Sequence, residues 1–76
     1  MSTFDQVKEI VANQLSIPAE KITAETTFEQ VEADSLDVVE VIMSIESTFN
    51  IDLPDGDVEQ FKNVGDLSNY VDKLLA

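Results

Sequence analysis

Residues 34–49 read Asp34-Ser35-Leu36-Asp37-Val38-Val39-Glu40-Val41-Ile42-Met43-Ser44-Ile45-Glu46-Ser47-Thr48-Phe49. Aspartate is one of the preferred N-cap residues, so Asp34 is suited to begin a helix. No proline or glycine interrupts the run from Leu36 to Phe49. The stretch therefore predicts a helix of about fourteen residues that begins just after Asp34.

The predicted helix carries two apolar faces when its residues are spaced about 100° apart. One face is formed by Val38, Val41, Ile42, Ile45 and Phe49. The second lies roughly opposite and is formed by Leu36, Val39 and Met43, bordered by Glu40, Glu46 and Ser47. One face is enough for the core of a small helical bundle. The second must therefore meet an external partner or another packed element, such as the long loop before the helix.

A first helix is predicted upstream of this stretch. Thr3 and Gln6 form a capping-box pattern, and apolar residues then recur at helical spacing, which predicts a helix over about residues 4–15. The helix ends at Ile17-Pro18, because the residue before a proline is pushed out of the α region. Residues 18–33 lose the helical period and are predicted to form a long loop. Three apolar residues are expected to anchor this loop to the core: Ile22, Phe28 and Val31.

A last helix is predicted near the C-terminus. Asn63 and Asp66 can cap it, and its apolar stripe comprises Val64, Leu67, Val71 and Leu74. Between the second and last helices, residues 51–57 read as a turn, and residues 58–61 form at most a short helix. The pattern predicts one all-α domain over residues 1–76, a small four-helix bundle with three longer helices, one short helix and a long loop between helices one and two.

The charge of the chain is strongly one-sided. Sixteen acidic residues face four lysines, the net charge is −12, and no cation lies between Lys21 and Lys62. Nucleic acid is an improbable partner, because phosphate binding needs clustered cations. The acidic surface fits either a solvated face or a docking face for basic partners. The N-terminal residues do not resemble a signal peptide, no stretch is apolar enough for membrane insertion, and the lack of cysteine fits the cytoplasm.

Ser35 is the residue that most needs a chemical explanation. The chain has no histidine and no cysteine, so nothing in it activates a serine nucleophile in the usual way. A serine in the first turn of a helix can simply be part of the cap. An anion attached to Ser35 would also lie at the positive end of the helix dipole, near unsatisfied N–H groups.

These features together resemble the acyl carrier proteins, whose members carry a phosphopantetheine arm on the serine of an Asp-Ser-Leu motif. The resemblance covers almost the whole chain. It depends on Asp34-Ser35-Leu36 opening an acidic helix that ends in Phe49-Asn50-Ile51-Asp52-Leu53-Pro54-Asp55. The apolar stripe of the first helix, Phe28 in the loop, and Val64-Gly65-Asp66 with Tyr70 extend it.

The resemblance implies a stand-alone carrier and not an enzyme. Acyl intermediates would be held as thioesters on a covalent 4'-phosphopantetheine arm, which a phosphopantetheinyl transferase moves from coenzyme A to Ser35. Asp34 is implied as a contact for the magnesium ion of that transfer. The pathway implied first is fatty acid biosynthesis, and the expected state is a monomer.

Two sets of residues receive roles from the same resemblance. The set that would dock acyl-transferring and chain-extending enzymes with basic patches comprises Asp34, Leu36, Asp37, Val39, Glu40, Met43 and Glu46. The set that would shield a bound acyl chain comprises Ile45, Leu53, Val58, Phe61, Leu67 and Tyr70. Phe61 is bulkier than the aliphatic residue common in the family, which implies a smaller or differently shaped pocket.

The segment before Ser35 departs from the pattern of many bacterial fatty-acid carriers, Phe-x-x-Asp-Leu-Gly-Ala-Asp-Ser-Leu. Here the spacing from Phe28 to Ser35 is one residue shorter, and Glu32 replaces the glycine. This replacement limits the backbone to conformations that a glutamate can adopt and adds a negative charge. A specialised carrier of polyketide, modified-lipid or aminoacyl groups is therefore one alternative. An unmodified acidic interaction or inhibitor protein is another, from a different class.

Overall fold

Three α-helices form the architecture in the computed structural model, which describes residues 2–53 and 61–76. They are α1 (Thr3–Leu15), α2 (Ser35–Phe49) and α3 (Val64–Leu75), and a short 3₁₀ helix, Ala19–Lys21, follows α1. The described part is therefore all-helical, as the sequence predicts. Residues 58–60 of the predicted short fourth helix lie outside the described residues.

The start of α1 corrects one prediction. The N-cap is Ser2, whose hydroxyl accepts a hydrogen bond from the N–H of Asp5 at 3.1 Å. The predicted capping box of Thr3 with Gln6 is wrong by one residue, because Ser2 and Asp5 have the same i, i+3 spacing and Thr3 is already helical. The end of α1 agrees with the prediction, since Ser16 takes a left-handed conformation immediately before Ile17-Pro18.

The core is built around α1, which packs against both α2 and α3. Each helix contributes a stripe of buried aliphatic residues, and burial of such side chains is the main favourable term in folding. The fully buried members are Val7, Val11, Val41, Ile45, Val64, Leu67 and Val71. The predicted core face of α2 is confirmed, because Val41, Ile42 and Ile45 are buried and Val38 and Phe49 pack at the edge of the cluster.

The long loop between α1 and α2 is fixed to the core and to the start of α3. Ile22 and Phe28 are buried, as predicted, whereas Val31 is only half-buried and is a weaker anchor than expected. The N–H of Val64 donates to the carbonyl of Thr26 at 3.0 Å. These contacts hold the loop in place and so fix the direction from which the chain enters α2.

The start of α3 is capped as predicted, with the Asn63 side chain accepting from the N–H of Asp66 at 2.7 Å. Thr27 and Asn63 form an isolated antiparallel bridge beside this cap. Gly65 donates its N–H to the carbonyl of Ala24 at 2.9 Å. A Cβ atom at Gly65 would lie only 2.9 Å from that same oxygen, so the close approach of the loop requires glycine here. Among the helices described, none is long and apolar enough to cross a membrane.

Candidate functional site

The first turn of α2 is closed by a reciprocal pair of aspartates on either side of Ser35. The Asp34 carboxylate accepts from the N–H of Asp37 at 2.8 Å, and the Asp37 carboxylate accepts from the N–H of Asp34 at 3.3 Å. This capping box confirms Asp34 as the N-cap. Asp37 closes the capping box from its third helical position. The sequence did not reveal this role, because a capping box usually has glutamate or glutamine at that position.

Ser35 lies exposed as the first residue of α2. Within the described residues, neither its hydroxyl nor the N–H groups of Ser35 and Leu36 have a hydrogen-bond partner in the protein. An anion bonded to the Ser35 oxygen would therefore meet free N–H donors and the positive end of the helix dipole. The residues present fit a phosphodiester at this position.

A compact turn delivers the chain to this first helical turn. The Thr27 hydroxyl accepts from the N–H of Gln30, and the Gln30 side chain accepts from the N–H of Thr27, both at 3.0 Å. The turn ends with Ala33 donating to the carbonyl of Phe28 and Glu32 donating to the carbonyl of Glu29, both at 3.0 Å. This pair of bonds is the Schellman pattern, in which the residue before the last donor, here Glu32, takes a left-handed conformation.

Glu32 occupies that left-handed position with a φ of 57°. The sequence led us to expect that replacing glycine would restrict this backbone position to conformations that a glutamate can adopt, and a left-handed conformation is among these. The conformation that Glu32 adopts is one that favours glycine, so the turn is kept with glutamate at this position and strain lies at Glu32. Its side chain is exposed three residues before Ser35.

The second apolar face of α2 is exposed to solvent. The exposed fractions are 64% for Leu36, 45% for Val39 and 60% for Met43. The alternative in which Val39 and Met43 pack beneath the long loop is therefore wrong. An apolar row of this kind, beginning next to Ser35, is available to a partner from outside the chain.

The four acidic residues predicted beside this face do not have equivalent environments. Asp34 and Glu40 are exposed, whereas Asp37 and Glu46 are half-buried. Glu40 accepts a hydrogen bond from the side-chain amide of Gln14 on α1. Glu46 accepts from the backbone N–H of Leu53 at 2.9 Å. The sequence identified their charge but missed these bonds, because bonds across elements or across a helix end leave no periodic signal.

Five of the six residues predicted to shield an acyl chain are described, and these five lie in or beside one core cluster. Ile45, Leu53, Phe61 and Leu67 are buried members of it, and Tyr70 packs at its edge. The rings of Phe61 and Tyr70 meet edge to face, with their centroids 5.2 Å apart. Val58 lies outside the described residues.

A metal site was predicted only through Asp34. Among residues 2–53 and 61–76, no three histidine, cysteine or acidic side chains cluster to hold a metal ion. One oxygen of Asp34 is occupied by the capping bond, so this side chain offers its second oxygen to a cation. Asp34 as a magnesium contact during modification stays a prediction.

Comparisons with known proteins match almost the full length of the chain. The family described as "Phosphopantetheine attachment site" matches residues 5–71. Proteins named acyl carrier protein from Campylobacter jejuni subsp. doylei and from Campylobacter jejuni strain RM1221 are each 48% identical over 75 residues, covering 97% of both chains. The solution structure of holo acyl carrier protein from Geobacter metallireducens superposes with a TM-score of 0.84 at 34% identity, covering 99% of this chain and 87% of that one.

Proposed function

This chain belongs to the acyl carrier protein family, and from that premise we propose that Ser35 is the residue to which its phosphopantetheine arm is attached. Members of this family are carriers and not catalysts, and the cofactor of the chain is a covalently attached phosphopantetheine. The observation that carries the proposal for Ser35 is the exposed hydroxyl at the start of α2, between two aspartates whose carboxylates are committed to the cap.

The arm supplies the thiol on which an acyl group is held as a thioester. The chain has no thiol of its own, because it contains no cysteine. The first turn of α2 supports the attachment point in two ways. The free N–H groups of Ser35 and Leu36 stabilise negative charge on the phosphate. The reciprocal bonds of Asp34 and Asp37 keep the turn wound while Ser35 is modified.

Attachment at Ser35 is tested by intact mass after incubation with coenzyme A, magnesium and a broad-specificity phosphopantetheinyl transferase. We expect the wild-type chain to gain one arm and Ser35→Ala to gain none. Ser47→Ala is the matched control, because Ser47 is an exposed serine on the same helix. An unchanged mass for the wild-type chain, or an arm on Ser35→Ala, would overturn the assignment.

The chain works with enzymes, as a carrier domain must, and we propose that these dock on the exposed face of α2. The apolar row of Leu36, Val39 and Met43 suits an apolar patch, and the acidic residues beside it suit a basic rim. Exposed charges at the edge of an interface act mainly on the association rate. Asp34 and Glu40 are therefore expected to steer partners, with Leu36 and Met43 providing buried area.

Docking is tested with the transferase as the partner, by measuring the rate of arm attachment against chain concentration. We expect Leu36→Ala to raise KM. The matched control is Leu74→Ala, since Leu74 is an exposed leucine on α3 with 42% of its surface accessible. Equal KM values for the two variants would exclude Leu36 from the docking surface.

The pathway we propose is fatty acid biosynthesis, in the cytoplasm. The support is the near-full-length similarity to proteins named acyl carrier protein. A specialised carrier is the second candidate, supported by Glu32 and by the shorter segment before Ser35. The mass of acyl groups trapped on the protein in cells separates these candidates, because fatty acid intermediates form a series that differs by two-carbon units.

We also propose that the core cluster around Ile45 and Leu67 shields the acyl chain. The support is that the predicted residues within the described part lie together in or beside that cluster. The ring of Phe61 packs edge to face against Tyr70 and so occupies part of this cluster. We expect Phe61→Ala to make room for longer acyl chains. Thioester cleavage of protein loaded with a long acyl chain, relative to protein loaded with a short one, should therefore be slower in Phe61→Ala than in wild type.

A further inference from the structure

Three backbone N–H groups converge on one residue, Glu46, where the chain leaves α2. The Glu46 carbonyl accepts from the N–H groups of Asn50 and Ile51, the latter at 3.2 Å. The Glu46 carboxylate accepts from the N–H of Leu53 at 2.9 Å. Asn50 takes a left-handed conformation that ends the helix. A single residue therefore fixes the course of residues 50–53.

The position of Glu46 is unfavourable for the helix itself. It lies in the last turn of α2, where no basic residue is present. Carboxylates are disfavoured there by the negative end of the helix dipole. The bond to the Leu53 N–H offsets this cost, because hydrogen bonds to an ionised acceptor are stronger than neutral ones. Glu46 is half-buried, which further strengthens the bond by limiting competition from water.

The residue held by this bond belongs to the core. Leu53 is 4% exposed and lies in the same cluster as Ile45 and Leu67. Its burial is secured at the backbone by Glu46 and at the side chain by the cluster. Release of the Glu46 bond would leave the Leu53 N–H without a protein partner and weaken the hold on its side chain.

We propose that Glu46 is a positioning residue, which holds Leu53 in the core and thereby shields the acyl chain from solvent. This role rests on the proposed function, since it concerns the interior in which we place the acyl chain. It also changes the predicted role of Glu46, which the sequence assigned only to partner docking. Glu46 acts through Leu53 and makes no contact of its own with the arm's attachment point at Ser35.

The first test measures amide hydrogen exchange in the chain without its arm. Glu46→Ala removes the acceptor, and we expect exchange at the Leu53 N–H to rise by roughly tenfold. Glu46→Gln keeps an acceptor oxygen and should restore most of the protection. Glu9→Ala is the matched control, because Glu9 is an exposed glutamate on α1 and the charge change is the same. Unchanged Leu53 exchange in Glu46→Ala would overturn the proposal, as would an equal rise at the core amides of Val7 and Val11.

The second test measures shielding in protein loaded with an octanoyl arm from octanoyl-coenzyme A. Hydroxylamine cleaves the thioester, and we expect cleavage several-fold faster in Glu46→Ala than in wild type, with Glu46→Gln close to wild type. Equal cleavage rates in all variants would overturn the shielding role. If the wild-type chain accepts no arm, the proposed function fails, whereas the exchange experiment still decides whether Glu46 holds Leu53.

Discussion

Glu32 provides a quantitative test of how the turn before Ser35 is built. Its φ of 57° places a side chain in the left-handed region, which costs an ordinary residue about 1–2 kcal/mol. Glycine at this position removes that cost but adds about 0.5–1 kcal/mol of chain entropy in the unfolded state. The midpoints of these two ranges differ by about 0.75 kcal/mol, which is the stabilisation that we expect from Glu32→Gly. For a domain of this size, the expected rise in Tm is about 2–8 °C.

Two control variants separate strain from charge. Glu32→Gln removes the negative charge but keeps the strained side chain, and an exposed change of this kind should alter stability by less than about 0.5 kcal/mol. Ser16→Gly relieves a left-handed position with the same φ of 57° at the end of α1, without any change of charge. We expect Glu32→Gly and Ser16→Gly to stabilise the fold by comparable amounts, because each relieves a left-handed residue with a φ of 57°.

The assay is urea unfolding, followed by the circular dichroism signal of the α-helices at about 222 nm. Thermal unfolding provides a second measure. The slope of the transition should be the same in all variants, so that midpoints report stability directly. If Glu32→Gly is no more stable than Glu32→Gln, the strain at Glu32 is no larger than the entropy cost of glycine, and the predicted stabilisation is refuted.

Three further predictions concern the rest of the fold. Asn63→Ala should destabilise the protein by about 1 kcal/mol in urea unfolding, because the cap on the Asp66 N–H is lost, whereas Asn63→Asp should retain it. Gly65→Ala should cost about 1–3 kcal/mol, because its Cβ would lie 2.9 Å from the Ala24 carbonyl oxygen; a Tm equal to wild type would contradict this. Added salt or millimolar divalent cations should raise Tm, since screening weakens repulsion within a net charge of −12. A Tm indifferent to both would show that this repulsion is negligible.

The helices were predictable where their signals are local. Asp34 and Asn63 are caps that act on residues three positions away, and such spacing is visible in the sequence. The same locality explains the error at α1, because Ser2 and Thr3 each precede a suitable partner by three residues. Only the packing of the chain decides between two caps offset by one position.

The site was predictable in its residues but not in their environments. The position of Ser35 follows from the helix start, and the exposure of Met43 excludes the alternative in which it packs beneath the long loop. The left-handed turn at Glu32 depends on a bond from Ala33 to the Phe28 carbonyl. The bond from Leu53 to Glu46 spans seven residues across a helix end. Neither bond belongs to a helical or strand period, so pattern analysis could not find them.

We propose that the exposed hydroxyl of Ser35 carries the arm. The most direct measurement is fragmentation mass spectrometry of wild-type protein loaded from coenzyme A, which assigns the added mass to one residue. We expect every fragment that contains Ser35 to carry the arm, and fragments that contain only Ser44, Ser47 or Ser68 to carry none. An arm located on any residue other than Ser35 would contradict it.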